Sequence, residues 1–178
     1  MTAFNVNETV AVIRTYPDDM LTLELIEWFH FIGIPRTHLR TNPGRHRDVC
    51  AGYNRGIKYV ALKTTAKQFI FADNDMRPNP KQTASFLEVD ADVVACEYQT
   101  EFPCGESWPV SISFHTGLWR CHRTVLETIK PPWFWWDWTD DGCEVQDCPC
   151  QTFANKVLEA GFTVRHGGWA KHEPKIRR

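Results

Sequence analysis

The stretch Phe69-Ile70-Phe71-Ala72-Asp73-Asn74-Asp75 decides the fold. A continuous apolar run that stops abruptly reads as a strand covered on both faces. Two carboxylates follow it, one residue apart. In extended chain, residues i and i+2 point the same way, so Asp73 and Asp75 converge on one point. A divalent cation carrying a phosphorylated substrate suits that pair. Magnesium and manganese take hard oxygen ligands and keep places open for phosphate oxygens. A plain Asx turn after the strand is the competing account, because Asn-Asp favours turns for its own reasons.

Upstream of this segment the pattern alternates. Thr9–Ile13 is a strand closed by Arg14-Thr15-Tyr16-Pro17. Asp18 or Asp19 then caps a helix reaching about Ile32, with Leu21, Leu25, Trp28 and Ile32 at helical spacing, and Gly33 ends it. Thr37–Thr41 is a short strand, followed by an Asn42-Pro43-Gly44 turn. A second helix spans about Asp48–Leu62, with Val49, Tyr53, Ile57 and Val60 on one face.

Downstream, Asn79-Pro80 opens a short helix to Leu87. Asp92–Tyr98 and Val110–Phe114 read as strands around a loop at Thr100–Pro109. His115–Cys121 carries the chain into a helix at about Thr124–Ile129, which Pro131-Pro132 breaks. Cys150–Ala160 is a helix ended by Gly161. Phe162–Arg165 is the last strand, and a short basic tail follows from Gly167. The alternation in the first half implies right-handed crossovers and a mainly parallel sheet. Ligands bind such sheets at the carboxyl ends of their strands. Asp73 and Asp75 stand at one such end, and Arg14-Thr15 at another.

The chain of 178 residues suggests one domain. With 43% hydrophobic and 24% charged residues it can bury a real core. A formal net charge of -2 offers no electrostatic case for a nucleic-acid or bilayer partner. Basic density is local, at Arg36–Arg47 and Lys171–Arg178. Neither a signal peptide nor an apolar run of membrane-spanning length stands out, so a cytoplasmic protein is expected. Seven cysteines is an odd, high number, and Cys143, Cys148 and Cys150 cluster. Their spacing matches no standard zinc knuckle, so reduced thiols are expected ahead of structural zinc. Trp133, Trp135, Trp136 and Trp138 form a dense aromatic segment. Exposed indoles of that density mark a binding surface that suits sugar rings, and a core segment with satisfied N–H groups is the alternative.

Four elements together resemble GT-A-type glycosyltransferases of the family 2-like group. They are Val10-Ala11-Val12-Ile13-Arg14-Thr15-Tyr16, Tyr53-Asn54-Arg55-Gly56, Asp73-Asn74-Asp75, and Gly117 through Leu126. The ending Leu158-Glu159-Ala160-Gly161-Phe162 followed by His172 fits as well. The resemblance implies a GT-A-like α/β fold, a mainly parallel central sheet with helices on both faces. It implies one domain over 1–178: a nucleotide-sugar half at about 9–98, an acceptor half at about 99–172 and a basic tail at 173–178.

It further implies a UDP- or GDP-sugar donor held with Mn2+ or Mg2+. Asp75 and Asp73 would be metal ligands, with His172 as the third and His166 as runner-up. Arg14, Thr15, Asn54, Arg55, Asp73 and Asn74 would contact the donor. The departing diphosphate gains negative charge, which a divalent ion relieves as a Lewis acid and Arg14 or Arg55 assists. An inverting member needs a carboxylate to deprotonate the acceptor hydroxyl. The family's register falls near Cys150 here, not on an acid. Asp147 is the expected base, just outside a helix that Pro149 starts; Glu144, Asp137, Asp140 and Asp141 are its neighbours. Gly117 and Trp136 would border the acceptor. The short chain leaves room for a second subunit in a homo-oligomer. Haloacid-dehalogenase-like phosphatases also place D-x-D after a buried strand, but near the start of the chain. A nucleotide- or sugar-binding module without a base is the non-enzyme alternative.

Overall fold

The computed structural model describes residues 4–15, 21–34, 39–41, 49–97 and 114–172. The proposed caps Asp18 and Asp19, the strand residues 110–113, the loop 100–109 and the tail 173–178 lie outside them. In chain order the elements are β1 (Thr9–Arg14), α1 (Leu23–Phe31), β2 (Leu39–Thr41), α2 (Val49–Tyr59), β3 (Gln68–Asp73), β4 (Met76–Pro78), α3 (Ala84–Glu88), β5 (Val93–Glu97), β6 (Leu118–His122), α4 (Arg123–Thr128), β7 (Asp137–Trp138), β8 (Val145–Asp147), α5 (Pro149–Glu159) and β9 (Val164–His172).

One seven-stranded sheet has the order β2-β1-β3-β6-β5-β9-β4. β1 pairs in parallel with β2 and β3, and β5 with β9. β6 runs against β3 and β5, and β4 runs against β9. The sheet is therefore mixed, where a mainly parallel one was expected. The period of two along the strands divides the core. Phe69 and Phe71 of β3 join one apolar cluster with Tyr53 and Ile57 of α2 and Phe153 of α5. Ile70 and Ala72 join a second cluster with Leu25 and Trp28 of α1 and Phe86 of α3. Helices thus cover both faces, and β3 is buried along its whole length.

Three readings need correction. The segment expected to carry the chain into a helix at His115–Cys121 is instead strand β6, at the centre of the sheet. Arg120 obscured it, because a charge in mid-strand argues against burial. Arg120 is 4% exposed nonetheless. Its Nε donates to Phe86 O (2.6 Å) and its Nη2 to Val89 O (2.5 Å), so it satisfies carbonyls at the end of α3. Burial lowers its pKa to about 10.

The last strand does not end at Arg165 with a tail from Gly167; β9 runs on to His172. Gly167 and Gly168 hid the continuation, since adjacent glycines read as a break. They are there because α3 comes so close. A Cβ on Gly167 would stand 2.9 Å from Phe86 Cα, and one on Gly168 2.7 Å from Gln82 O, where φ is also +72°. The short helix expected from Asn79-Pro80 begins later, at Ala84. Asn79 Oδ1 instead accepts from Lys81 N (3.0 Å) in an Asx turn.

β4, β7 and β8 were not anticipated, being only two or three residues each. Among the described residues α1 starts after Thr22, whose Oγ1 accepts from Leu25 N (3.3 Å) and donates to Met76 O (2.5 Å). That cap also ties α1 to the segment after Asp75. No helix among the described residues is long and apolar enough to cross a membrane.

Candidate functional site

β1, β3 and β9 all end at the same edge of the sheet, and their last residues are Arg14, Asp73 and His172. Arg14 and Asp73 are direct partners in the parallel register. The Arg14 guanidinium forks onto the carboxylate, Nε to Oδ1 at 2.8 Å and Nη2 to Oδ2 at 2.6 Å. Both side chains are largely buried, so this bidentate pair is screened little. Tyr53 Oη stands 2.5 Å from Asp73 Oδ1 and also lies against Thr116 O. The hydroxyl has one proton for these two acceptors. The Asp73 N–H donates to Gly117 O (2.8 Å) and the Asn74 N–H to Arg14 O (3.2 Å). Asp73 is therefore held by four hydrogen bonds with three residues, Arg14, Tyr53 and Gly117.

Antiparallel pairing sets Met76 opposite His172, which brings the end of β9 beside Asp75. Asp73, Asp75 and His172 each offer a ligand atom, all within 4.8 Å of one another. His172 Nε2 is 3.3 Å from Asp75 Oδ1. Among the described residues no donor makes an ordinary hydrogen bond to that buried oxygen. Burial pushes the Asp75 carboxyl up, but its contact with His172, a backbone N–H and the Arg14 charge bring it below the ordinary carboxylate range. An ionised, under-satisfied carboxylate oxygen beside an imidazole and a second carboxylate is a donor set that fits Mg2+ or Mn2+. The two carboxylates differ in role. Asp73 already grips Arg14 and Tyr53, whereas Asp75 has an oxygen to spare.

The other residues singled out in the sequence divide. Thr15 and Asn74 are buried next to the Arg14–Asp73 pair, and Gly117 supplies the carbonyl beneath Asp73. His166 is not one of the three; its Nδ1 is 3.3 Å from Glu97 Oε1. Asn54 points away from the carboxylates. Its Oδ1 accepts from Trp133 N (2.8 Å) and Phe134 N (3.1 Å), and its Nδ2 donates to Phe134 O (2.7 Å). The tryptophan segment separates too. Trp133 is buried, with its indole N–H on Leu126 O at 3.0 Å. Trp136 and Trp138 are 45% and 51% exposed, at i and i+2 where β7 begins.

Asp147 lies opposite Asp137 in the β7–β8 pair and next to Cys148, the N-cap of α5. Desolvation and the Asp137 charge push its carboxyl up. Asp141 is a turn residue: its Oδ1 accepts from Thr139 Oγ1 (2.6 Å) and Cys143 N (3.0 Å). Sequence reading missed Tyr53 as a partner of Asp73. The helical stripe marked it as core, and nothing local reveals where a phenol tip ends.

Cys148 was singled out in the sequence only as one of a cluster of reduced thiols. The Cys150 thiol donates to it, as do backbone N–H groups of Gln151 and Cys150, and these hold its pKa below the ordinary thiol range despite burial. Cys150 is pushed up in turn and touches Thr116 Oγ1 at 3.4 Å. A thiolate at neutral pH alkylates first. Iodoacetamide is therefore expected to label Cys148 at a lower pH than an ordinary thiol, while the buried Cys96 and Cys121 resist. Peptide mass spectrometry across pH 5–9 checks this, and a Cys148 midpoint above pH 8 would refute it.

No family model matches the chain, and no characterised protein matches it in sequence. Among solved structures it is similar to A197 from STIV, with a TM-score of 0.57 and 19% identity over 95% of this chain and 87% of that one. It also overlaps a glycosyltransferase involved in the glycosylation of the major capsid of PBCV-1, with a TM-score of 0.45 and 19% identity over 70% of this chain and 68% of that one. At this identity the first likeness is one of fold, and the second is an overlap from which nothing further is drawn. The chain thus has a mixed α/β fold that A197 shares. A cluster of two carboxylates and a histidine stands at the carboxyl edge of its sheet.

Proposed function

We propose that the protein is a metal-dependent glycosyltransferase that moves a sugar from a UDP- or GDP-sugar to an acceptor hydroxyl. One observation carries the reading: Asp73, Asp75 and His172 converge at the carboxyl ends of β3 and β9, where an α/β sheet takes its ligand. Asp75 and His172 would hold Mn2+ or Mg2+, with Asp73 completing the set. When bound, the ion neutralises charge on the departing diphosphate. Arg14, locked by its fork onto Asp73, keeps a positive charge at the same edge. Thr15 and Asn74 form the floor beside it.

On the acceptor side, Asp147 is the base. Its raised pKa favours proton uptake from a hydroxyl nearer neutrality. The exposed faces of Trp136 and Trp138 offer a platform for sugar rings, and Gly117 lets the acceptor approach. In this reading residues 9–98, with His172, serve the donor and the rest of 99–172 the acceptor, within a single cytoplasmic domain. The phosphatase alternative needs a free aspartate nucleophile after the buried strand. Asp73 is gripped by Arg14 and Tyr53 instead, which favours the transferase.

A thermal-shift series with UDP and GDP, each with and without manganese, tests the reading. Ligand at a hundred times its Kd adds about 2.7 kcal/mol, or roughly 5–10 °C for a chain of this size. The shift is expected with one nucleotide and only with manganese present. If neither nucleotide raises Tm in manganese, the proposal fails.

A further inference from the structure

Two cysteines separated by one proline open α5, and neither the carboxylate triad nor the proposed base uses them. Cys148 is the N-cap of α5, Pro149 is its first residue, and Cys150 follows in the first turn. Pro149 is buried, and its ring fixes its own φ. The link between the two cysteines is therefore stiff. The Cys150 side chain lies against that of Cys148. On its other side Cys150 Sγ is 3.4 Å from Thr116 Oγ1, and Thr116 is buried. Both cysteines are half-buried.

The two sulfurs differ in character. Cys148 sits where the first N–H groups of the helix carry partial positive charge. Contact with the Cys150 thiol and with backbone N–H groups favours its thiolate. Cys150 is held as the thiol by that donation and by burial. Cys50, Cys96 and Cys121 lie in the core instead, and burial pushes the last two far up. One thiolate beside one thiol is the arrangement that thiol–disulfide exchange uses: the first sulfur attacks and the second resolves. A bond between them has little value as a staple. It closes a ring over one intervening residue, so it removes little entropy from the unfolded chain.

We propose that Cys148 and Cys150 form a thiol–disulfide exchange site whose co-substrate is a low-molecular-weight disulfide, RSSR. The Cys148 thiolate attacks one sulfur of RSSR, the S–S bond breaks, and RS− leaves with the bonding pair. Cys150 passes its proton to that thiolate and attacks Cys148 Sγ. The Cys148–Cys150 bond forms and the second RS− leaves. The protein thiols are oxidised by two electrons and RSSR is reduced by two. Thr116 Oγ1 is placed to donate to Cys150 Sγ as the proton departs. The site needs no metal and does not rest on the transferase reading.

Reduced native protein incubated with oxidised glutathione at neutral pH, in EDTA, tests it. The reaction is quenched with N-ethylmaleimide, and the chain is cut before Asp147 and after Lys156. Fragment 147–156 then carries Cys148 and Cys150 and no other cysteine. The expected product is that fragment, two hydrogens lighter and free of maleimide. Cys150→Ser should instead accumulate one glutathione on Cys148. Cys148→Ser should react more slowly by about tenfold or more, since it lacks the thiolate. Thermal melts check the fold of both variants, and the parent's own fragment decides the matter if either melts early. Three results overturn the proposal: maleimide on both thiols of the parent, a disulfide from Cys148 to Cys143 or another cysteine, or a folded Cys150→Ser with no glutathione on Cys148.

Discussion

Asp75→Ala is expected to abolish manganese-dependent nucleotide binding and to leave the fold intact. Asp75 Oδ1 is buried beside His172 Nε2 at 3.3 Å and has no ordinary hydrogen-bond donor among the described residues. Truncation therefore breaks no good hydrogen bond at that atom, so the structural cost is small. The metal loses an ionised oxygen ligand, which His172 and an already engaged Asp73 do not replace. A loss of at least a hundredfold in nucleotide affinity, about 2.7 kcal/mol, should follow. Asp147→Asn is the matched control: as the proposed base it should lose transfer yet retain nucleotide and manganese binding. Titration calorimetry with UDP or GDP in manganese reads both. If Asp75→Ala binds like the parent, the metal assignment is wrong, whatever the fold.

The second large effect is on stability. Trp119 lies in β6 with none of its surface exposed. Its ring stacks on Phe71 at 4.1 Å and 10°, and it contacts Tyr53, Phe114, Phe134 and Phe153 at centroid distances of 5.0–6.1 Å. These rings come from β3, α2, α5 and the segments beside β6 and β7, so one side chain joins most of that face of the sheet. Trp119→Ala should cost about 3–5 kcal/mol, the usual range for emptying such a site. That is a large share of the 5–15 kcal/mol available to a domain. Trp119→Phe should cost much less. It keeps the stack and removes an indole N–H that has no hydrogen-bond partner among the described residues. Urea denaturation of the three proteins measures both differences, and an Ala variant within 1 kcal/mol of the parent contradicts the packing argument. Tyr53 leans on Trp119 and holds Asp73, so the Ala variant should weaken manganese binding as well.

Legibility in the sequence followed the range of the forces involved. β1, β3, α2 and α5 were readable, because a period of two or of 3.6 is a local property of a few residues. The Asp73/Asp75 pair was readable as the end of the apolar run in β3, though Asn74 and Asp75 form a turn into β4 and not the extended chain expected. β6 was not: a strand holding Arg120 looks like surface until the Phe86 and Val89 carbonyls that satisfy it are in place. The reach of β9 to His172 was hidden by Gly167 and Gly168, whose purpose is to admit α3. Asn54 read as part of a donor-binding motif, and its amide proves to hold the Trp133–Phe134 backbone. These failures share a cause. Each residue's role depends on a partner distant in the chain, and no periodicity encodes that partner.

By itself, the sequence determined that two carboxylates would stand at the end of a buried strand, because an apolar run that stops at Asp73 is a local property of the chain; Asn74 and Asp75 then turn into β4. Only the tertiary structure decided that Arg14 and Tyr53 would hold Asp73 and that His172 would come to Asp75. Those outcomes depend on which strands pair and in what register, and that is settled by burying both faces of the sheet at once.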